Sequence, residues 1–334
     1  MMMNVTVLGA GSWGTTVAHL AAHNAPTVLW GRDEEIMSKI DADKENVRYL
    51  PGRTLHDDLT ATSDLEAAVD CADLLVVGVP SGAFRETVVK ASEHLRPWVP
   101  VISLTKGLER PTALRMSQVI EEVLPGRPTG VLTGPNLAKE IMDGHASASV
   151  VAMSDHHVAR RLQSLFATPT FRVYTNDDVV GSELGGALKN VIAIAAGIAD
   201  GLGTGDNTRA AVLTRGLREL TRLGVAMGGR AETFSGLAGM GDLVATCISH
   251  QSRNRYFGEQ LGKGLTVAEI AEEMDQVAEG AKSGPVVVAL AAELGVSMPI
   301  AEAVVSVCSG DTTALGAFAA LLETPAGDEF ADLS

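Results

Sequence analysis

A Rossmann-like, doubly wound α/β sheet followed by an all-helical second half is the fold class predicted by this 334-residue sequence. Three observations predict it. Short unbroken apolar runs alternate with helical stretches from Val5 to about Tyr174, a glycine-rich turn follows the first run directly, and strand-like runs stop after Asp178. Unbroken apolar strands separated by helices indicate a parallel sheet covered on both faces.

The apolar runs are Val5–Leu8, Thr27–Trp30, Leu74–Val77, Val101–Leu104, Gly130–Leu132 and Ser149–Val151. Beyond Asp178 the Ala/Leu/Ile/Val-rich pattern predicts long helices over about Glu183–Asp200, Arg209–Met227, Val267–Met274 and Val286–Leu294. Asn176-Asp177-Asp178 and Gly181 break the periodicity between the two halves. The expected division is therefore a domain over 1–177, a helical domain over 178–325, and a frayed acidic tail over 326–334.

Bulk properties narrow the possibilities. Aromatic residues make up only 4%, so the cores must rest on Val, Leu, Ile and Ala. A formal net charge of −15 argues against a general nucleic-acid or anionic-membrane binder, and anionic ligands would need local Arg and Lys. Cys71, Cys247 and Cys308 are scattered with no CxxC spacing, which predicts packing residues and neither a metal site nor a disulfide framework. No apolar stretch reads as reaching the ~20 residues of a membrane span. The first strand starts at Val5, leaving no room for a signal peptide, so a cytoplasmic location is expected.

The first strand runs into Gly9-Ala10-Gly11-Ser12-Trp13-Gly14, and a helix follows. This spacing suits a dinucleotide pyrophosphate. Gly9 permits the tight turn, Gly11 lets the backbone approach the phosphates, and Gly14 lets helix and strand pack closely. The helix N-terminus offers N–H groups and partial positive charge. After the second strand stand Arg32 and Asp33. An acid there would bind ribose hydroxyls of NAD, and an Arg would suit the 2′-phosphate of NADP. Arg32 is nearer the strand end, which favours NADP over NAD.

Lys189 lies in an otherwise apolar helix within Gly185-Gly186-Ala187-Leu188-Lys189-Asn190. A lysine there snorkels to water, pairs, or has a depressed pKa that lets it move protons. The two glycines cost the helix roughly 0.5–1 kcal/mol each relative to alanine, and allow a ligand or backbone to come close. Gly239-Met240-Gly241-Asp242 presents one carboxylate, which could equally be a helix cap. Ser252-Arg253-Asn254-Arg255 is either a basic turn or an anion clamp of guanidinium, hydroxyl and amide. Thr105-Lys106-Gly107 and Thr133-Gly134-Pro135-Asn136 follow strands, where open α/β sheets bind ligands.

Together with Glu279-Gly280, these segments make the chain resemble the bacterial type of NAD(P)-dependent glycerol-3-phosphate dehydrogenase along nearly its whole length. The resemblance implies reversible reduction of dihydroxyacetone phosphate to sn-glycerol 3-phosphate, with Lys189 as proton donor and acceptor. It places Lys106, Gly134, Asn136, Asp242, Ser252, Arg253 and Asn254 at the substrate. Ser12, Trp13, Arg32, Lys106, Ala138, Arg253 and Glu279 would line the cofactor site beside the glycine turn. Family members usually carry Ser or Thr where this chain has Asn136. The resemblance further implies a homodimer serving glycerophospholipid synthesis. Two other readings compete: a β-hydroxyacid dehydrogenase acting on a carboxylate, and a non-catalytic dinucleotide sensor, which would have no need of Lys189.

Overall fold

Eight strands build one sheet in the order β3-β2-β1-β4-β5-β6-β7-β8. The computed structural model describes residues 3–274 and 278–323. The expected tail over 326–334 therefore lies outside the described residues. Strand β1 (Val5–Leu8) leads into helix α1 (Ser12–Ala22), and β2 (Thr27–Trp30) into α2 (Glu34–Asp43). Then come β3 (Leu59–Thr62), α3 (Leu65–Asp70), β4 (Leu74–Val77), α4 (Ser81–Ser92), β5 (Val101–Ser103) and α5 (Met116–Val123). The sheet is completed by β6 (Thr129–Thr133), α6 (Ala138–Met142), β7 (Ser147–Met153), α7 (His156–Phe166) and β8 (Phe171–Asn176).

Alternation along the central strands sorts their side chains into two layers. Val5, Val7, Leu29, Leu74 and Val76 pack with Val17, Ala18 and Ala21 of α1 and with Leu162 and Phe166 of α7. Leu8, Leu75, Val77 and Val101 pack on the other face with Phe84 and Val88 of α4 and with Val119 and Ile120 of α5. Each such side chain, fully buried, contributes about 1.5–3 kcal/mol.

Two expectations need correction. The sheet is not wholly parallel, because β7 pairs antiparallel with β6. The five residues of α6 rise only about 1.5 Å each, too little to return the chain along a strand of roughly 17 Å. Strands β3 and β8 went unread. They lie at the two sheet edges, and β8 alternates buried Phe171 and Val173 with exposed Arg172 and Tyr174. Half-solvated edges do not give unbroken apolar runs.

After β8 the chain is helical: α8 (Val179–Gly201), α9 (Asp206–Ala226), α10 (Ala231–Phe234), a π-helical turn over Leu237–Gly241, and α11 (Asp242–Ile248). Next are α12 (Arg253–Gly262), α13 (Val267–Glu273), α14 (Glu279–Glu293), α15 (Pro299–Ser309) and α16 (Ala314–Glu323). By length and composition α8 could cross a bilayer, contrary to the sequence reading, yet 83% of its most apolar window is buried inside the protein.

The chain divides into two compact units. The first runs to Ala187 and adds Leu220–Ala245, and the second holds Leu188–Glu219 and the described residues from Thr246 onward. In the first unit the buried carboxylate of Glu183 accepts from Arg115 Nη1 at 2.8 Å, Ser117 N at 2.9 Å and Ser117 Oγ at 2.5 Å. Asp178 accepts from Gly181 N, Arg230 N and Thr233 Oγ1 at 2.8, 2.9 and 2.6 Å. These bonds hold the first residues of α8, and α10, within that unit.

In the second unit α8 and α12 touch backbone to backbone. A Cβ on Gly197 or Gly201 would overlap the carbonyl oxygens of Arg255 or Glu259, and one on Gly258 or Gly262 would meet those of Ile194 or Ile198. Both helices thus carry a Gly-x-x-x-Gly spacing on the contacting side. Arg255 closes the pair, donating from Nε to Asp200 Oδ2 at 2.9 Å, while Arg209 Nη2 reaches Asp200 Oδ1 at 2.6 Å.

Candidate active site

The glycine turn sits where the strand order reverses, between β1 and β4, the switch point at which open α/β sheets bind ligands. Gly9 has φ +117°, and a Cβ there would lie 2.8 Å from the carbonyl of Gly78. Only glycine fits. A Cβ on Gly14 would overlap the oxygen of Gly9, so helix and turn are in direct contact. Gly11 differs: nothing lies within 4 Å of its Cβ position. It is the N-cap of α1 and supplies no side-chain cap, so the helix start faces open space with Ser12 and Trp13 as its first residues. The Trp13 indole nitrogen is buried without a hydrogen-bond partner. An open cradle at a helix N-terminus and an orphaned buried donor beside it fit a bound dinucleotide.

At the end of β2, Asp33 turns its carboxylate to α2, accepting from Ile36 N at 3.0 Å. Arg32 precedes it and is exposed.

A second group of predicted residues comes together in the same unit. Lys106, after β5, donates from Nζ to Gly134 O at 2.9 Å and to Asp242 Oδ2 at 2.7 Å. The alternative of Asp242 as a mere cap does not describe it, because its carboxylate, 2% exposed, pairs with that ammonium. Gly134 has φ +133°, which positions its carbonyl. Gly186 explains itself here: a Cβ would stand 2.9 Å from Thr133 Oγ1 and 3.4 Å from Lys106 Cγ. Gly185 likewise receives the carbonyl of Ala238 at 2.5 Å from its Cβ position. Asn136 buries both amide atoms without partners, as Thr133 does its hydroxyl. Each such orphan costs about 1–3 kcal/mol until paired. Ala138 opens α6 just beyond.

Replacing Asp242 with Asn should cost about 2 kcal/mol, since it removes the counter-charge and leaves the Lys106 ammonium, largely shielded from water, only neutral acceptors. Urea unfolding of the two proteins measures this; an unchanged midpoint would mean the pair is solvent-screened.

The second unit holds the remaining candidates. Lys189 is 4% exposed, and its Nζ donates to Thr246 Oγ1 at 2.5 Å. Thr246 was missed from sequence. Its one signal was its place four residues after Asp242, one turn along α11. Ser252 is the N-cap of α12, its Oγ accepting from Arg255 N at 3.2 Å. Arg253, the first residue of α12, is exposed, whereas Ser252, Asn254 and Arg255 are buried. A surface turn is thus the wrong description of this cluster, and Arg255 belongs to the Asp200 pair. Asn254 donates from Nδ2 to Asn190 Oδ1 at 3.0 Å and accepts from Gly280 N at 2.9 Å. It therefore links α8, α12 and the start of α14, where Glu279 is the first residue.

A glycine turn at the switch point of a doubly wound sheet, with a helical second half carrying a buried lysine, defines a dinucleotide-dependent oxidoreductase. The chain belongs to the NAD-dependent glycerol-3-phosphate dehydrogenase family: the N-terminal family model matches residues 4–159 and the C-terminal one residues 178–318. It is 58% identical over 329 residues to glycerol-3-phosphate dehydrogenase [NAD(P)+] 2 of Sphingopyxis alaskensis, covering 98% of this chain and 99% of that protein. Glycerol-3-phosphate dehydrogenase [NAD(P)+] 1 of Mycobacterium bovis is 54% identical, with 97% of this chain and 96% of that protein covered. Among solved structures, glycerol-3-phosphate dehydrogenase from Coxiella burnetii superposes with TM-score 0.91 at 36% identity, covering 96% of this chain and 99% of that one.

Proposed function

We propose that the protein reversibly reduces dihydroxyacetone phosphate to sn-glycerol 3-phosphate with NAD(P)H. The observation that carries this reading is a lysine ammonium, Lys189, buried in an apolar helix and held by a threonine hydroxyl at 2.5 Å. The bound dinucleotide supplies the hydride for the ketone carbon. Lys189 stabilises the charge that builds on the ketone oxygen and exchanges a proton with it. Thr246 aims the ammonium. Arg253 and Ser252 take the phosphate, anchoring the substrate so that its carbonyl stays in line. Lys106, Gly134, Asn136, Asp242 and Asn254 bound the rest of the substrate site. Gly9, Gly11 and Gly14 shape the pyrophosphate cradle, with Ser12, Trp13, Arg32, Lys106, Ala138, Arg253 and Glu279 as further dinucleotide contacts.

NADP is the favoured cofactor because Asp33 is committed to capping α2, leaving Arg32 as the charge available to a 2′-phosphate. Arg32→Glu should lower the NADPH/NADH ratio of kcat/KM about 100-fold, the loss of one or two charge-assisted bonds. A ratio that stays put would remove Arg32 from the cofactor site. The functional division is taken at 177/178, and a cytoplasmic homodimer feeding glycerophospholipid synthesis is the setting the family suggests.

The test follows oxidation of NADPH or NADH by purified protein given dihydroxyacetone phosphate or its unphosphorylated counterpart, and, in a separate arm, reduction of NADP+ or NAD+ by a small β-hydroxyacid. Turnover only with the phosphorylated ketone is expected. Faster turnover of the hydroxyacid would establish the β-hydroxyacid dehydrogenase reading, and cofactor binding without turnover would establish the sensor. Neither alternative is favoured by the relatives described above.

A further inference from the structure

The connection between α2 and β3, residues 44–58, lies along α1 and is bonded to it at both ends. At one end Asn46, fully buried, donates from Nδ2 to Ala10 O at 3.0 Å, inside the glycine turn, and to Thr15 Oγ1 at 2.9 Å. At the other end the backbone N–H of His56 donates to His19 Nδ1 at 3.0 Å. Between them Leu50 and Leu55 are buried, Leu50 N reaches Asn46 O, and Leu55 N reaches Lys44 O. The segment is thus a strap tied to itself by these bonds, with Arg53 Nη2 also donating to Asp143 Oδ2 at 2.7 Å.

His19 holds its end of the strap under an unusual constraint. A neutral imidazole carries one proton. Because Nδ1 accepts from the His56 backbone, that proton is on Nε2, which lies 3.4 Å from Nε2 of exposed His23. The rings of His19, His23 and His56 stack edge to face, at centroid distances of 4.9, 4.5 and 6.5 Å. A proton arriving on His23 Nε2 sets two N–H groups against each other. His19 can answer by shifting its own proton to Nδ1, where it opposes the His56 N–H, or by swinging out. Both responses break the bond that holds the strap.

We propose that His19, His23 and His56 form a proton-operated latch that fixes residues 44–58 against the glycine turn, and that acidification releases it and weakens dinucleotide binding. The second clause rests on the glycine turn being the dinucleotide site.

Burial, then the charges of His23 and His56, push His19 down to about 4. Burial and His56 also hold His23 below its usual value. Charged groups on the helices packed against α1 are Lys139 and Glu140 on α6, and His156, His157, Arg160 and Arg161 on α7. None of them, nor Asp57 or Asp58 beside His56, figures among the causes acting on His19 or His23. Both pKa values are lowered by the latched state, so the latch favours the unprotonated rings. Its hold is full above the ordinary histidine value near 6.5 and is lost progressively as pH falls toward 4.

Hydrogen exchange of the 50–58 backbone amides, corrected for intrinsic rates at about pH 7.5 and about pH 5.5, reads the latch directly. His19→Asn supplies the control, because the Asn amide oxygen can stand in for Nδ1 as the acceptor from the His56 backbone N–H and does not titrate. Wild-type protection should fall about fivefold or more at the lower pH, and the variant's should stay flat. The Kd for NADH, which lacks a 2′-phosphate titrating in this range, should rise in step in the wild type alone. Wild-type protection that ignores pH, or an equal fall in the variant, overturns the latch. A fall in protection with an unchanged Kd overturns its coupling to the glycine turn. A protein that binds no NADH even at about pH 7.5 would sink the dinucleotide-site reading, while the exchange data still judge the latch.

Discussion

Lys189→Ala is expected to lower kcat by about 10³- to 10⁴-fold while leaving the Kd for the dinucleotide within about twofold. General acid catalysis by a positioned group contributes about 10²–10⁴, and the same ammonium also stabilises the developing oxyanion. Stopped-flow rates and fluorescence titration of the reduced cofactor separate the two quantities. A variant with wild-type kcat would end the assignment of Lys189. Thr246→Val sharpens the test. It keeps the side-chain volume but removes the oxygen that accepts from Lys189 Nζ at 2.5 Å, so kcat should fall more than KM rises, and the basic limb of the pH–rate profile should move.

Gly258→Ala should have the largest effect on stability, a loss of about 3 kcal/mol. Two opposing effects decide its sign. Alanine is intrinsically better in a helix by about 1 kcal/mol. Its Cβ, however, would overlap the carbonyl oxygen of Ile194 on α8, and backbone cannot rotate aside as a side chain can. Overpacking of this kind costs about 1–3 kcal/mol, occasionally more, and parting the helices would also disturb the Asn190–Asn254 bond. Gly82 in α4 is the control, because nothing lies within 4 Å of its Cβ position. Gly82→Ala should leave stability unchanged or raise it by up to about 1 kcal/mol. Denaturant unfolding of both variants checks the pair; similar midpoints would show that α8 and α12 do not touch through backbone.

Whether a feature was legible in sequence depended on how far apart its partners lie along the chain. The turn from Gly9 to Gly14 could be read because strand, glycines and helix are contiguous. Lys189 stood out because a charge in an apolar helix is conspicuous wherever its partner is. Thr246 did not, since a threonine in a short helix is unremarkable until Lys189 Nζ is found beside it. The role of Gly197 and Gly201 could not be foreseen from α8 alone, for they are defined by carbonyls of α12. Asn46 was silent for the same reason: its amide serves Ala10 and Thr15, more than thirty residues earlier. Strand β8 was hidden by its place at the edge, and the reversed direction of β7 by reading α6 as a full crossover.

The sheet-bearing unit closes with residues that are made late. Arg115 and Ser117 find their carboxylate on Glu183, Lys106 finds Asp242, and Asp178 finds Thr233. On a translating ribosome, the eight strands have all emerged once Asn176 has cleared the exit tunnel, yet the cations at positions 106 and 115 have no counter-charge at that moment. A sheet that folds before Ala245 is made does so without the carboxylates that Arg115 and Lys106 meet in the finished unit. A gene cut between codons 177 and 178 should accordingly yield an insoluble amino-terminal fragment rather than an autonomous nucleotide-binding module.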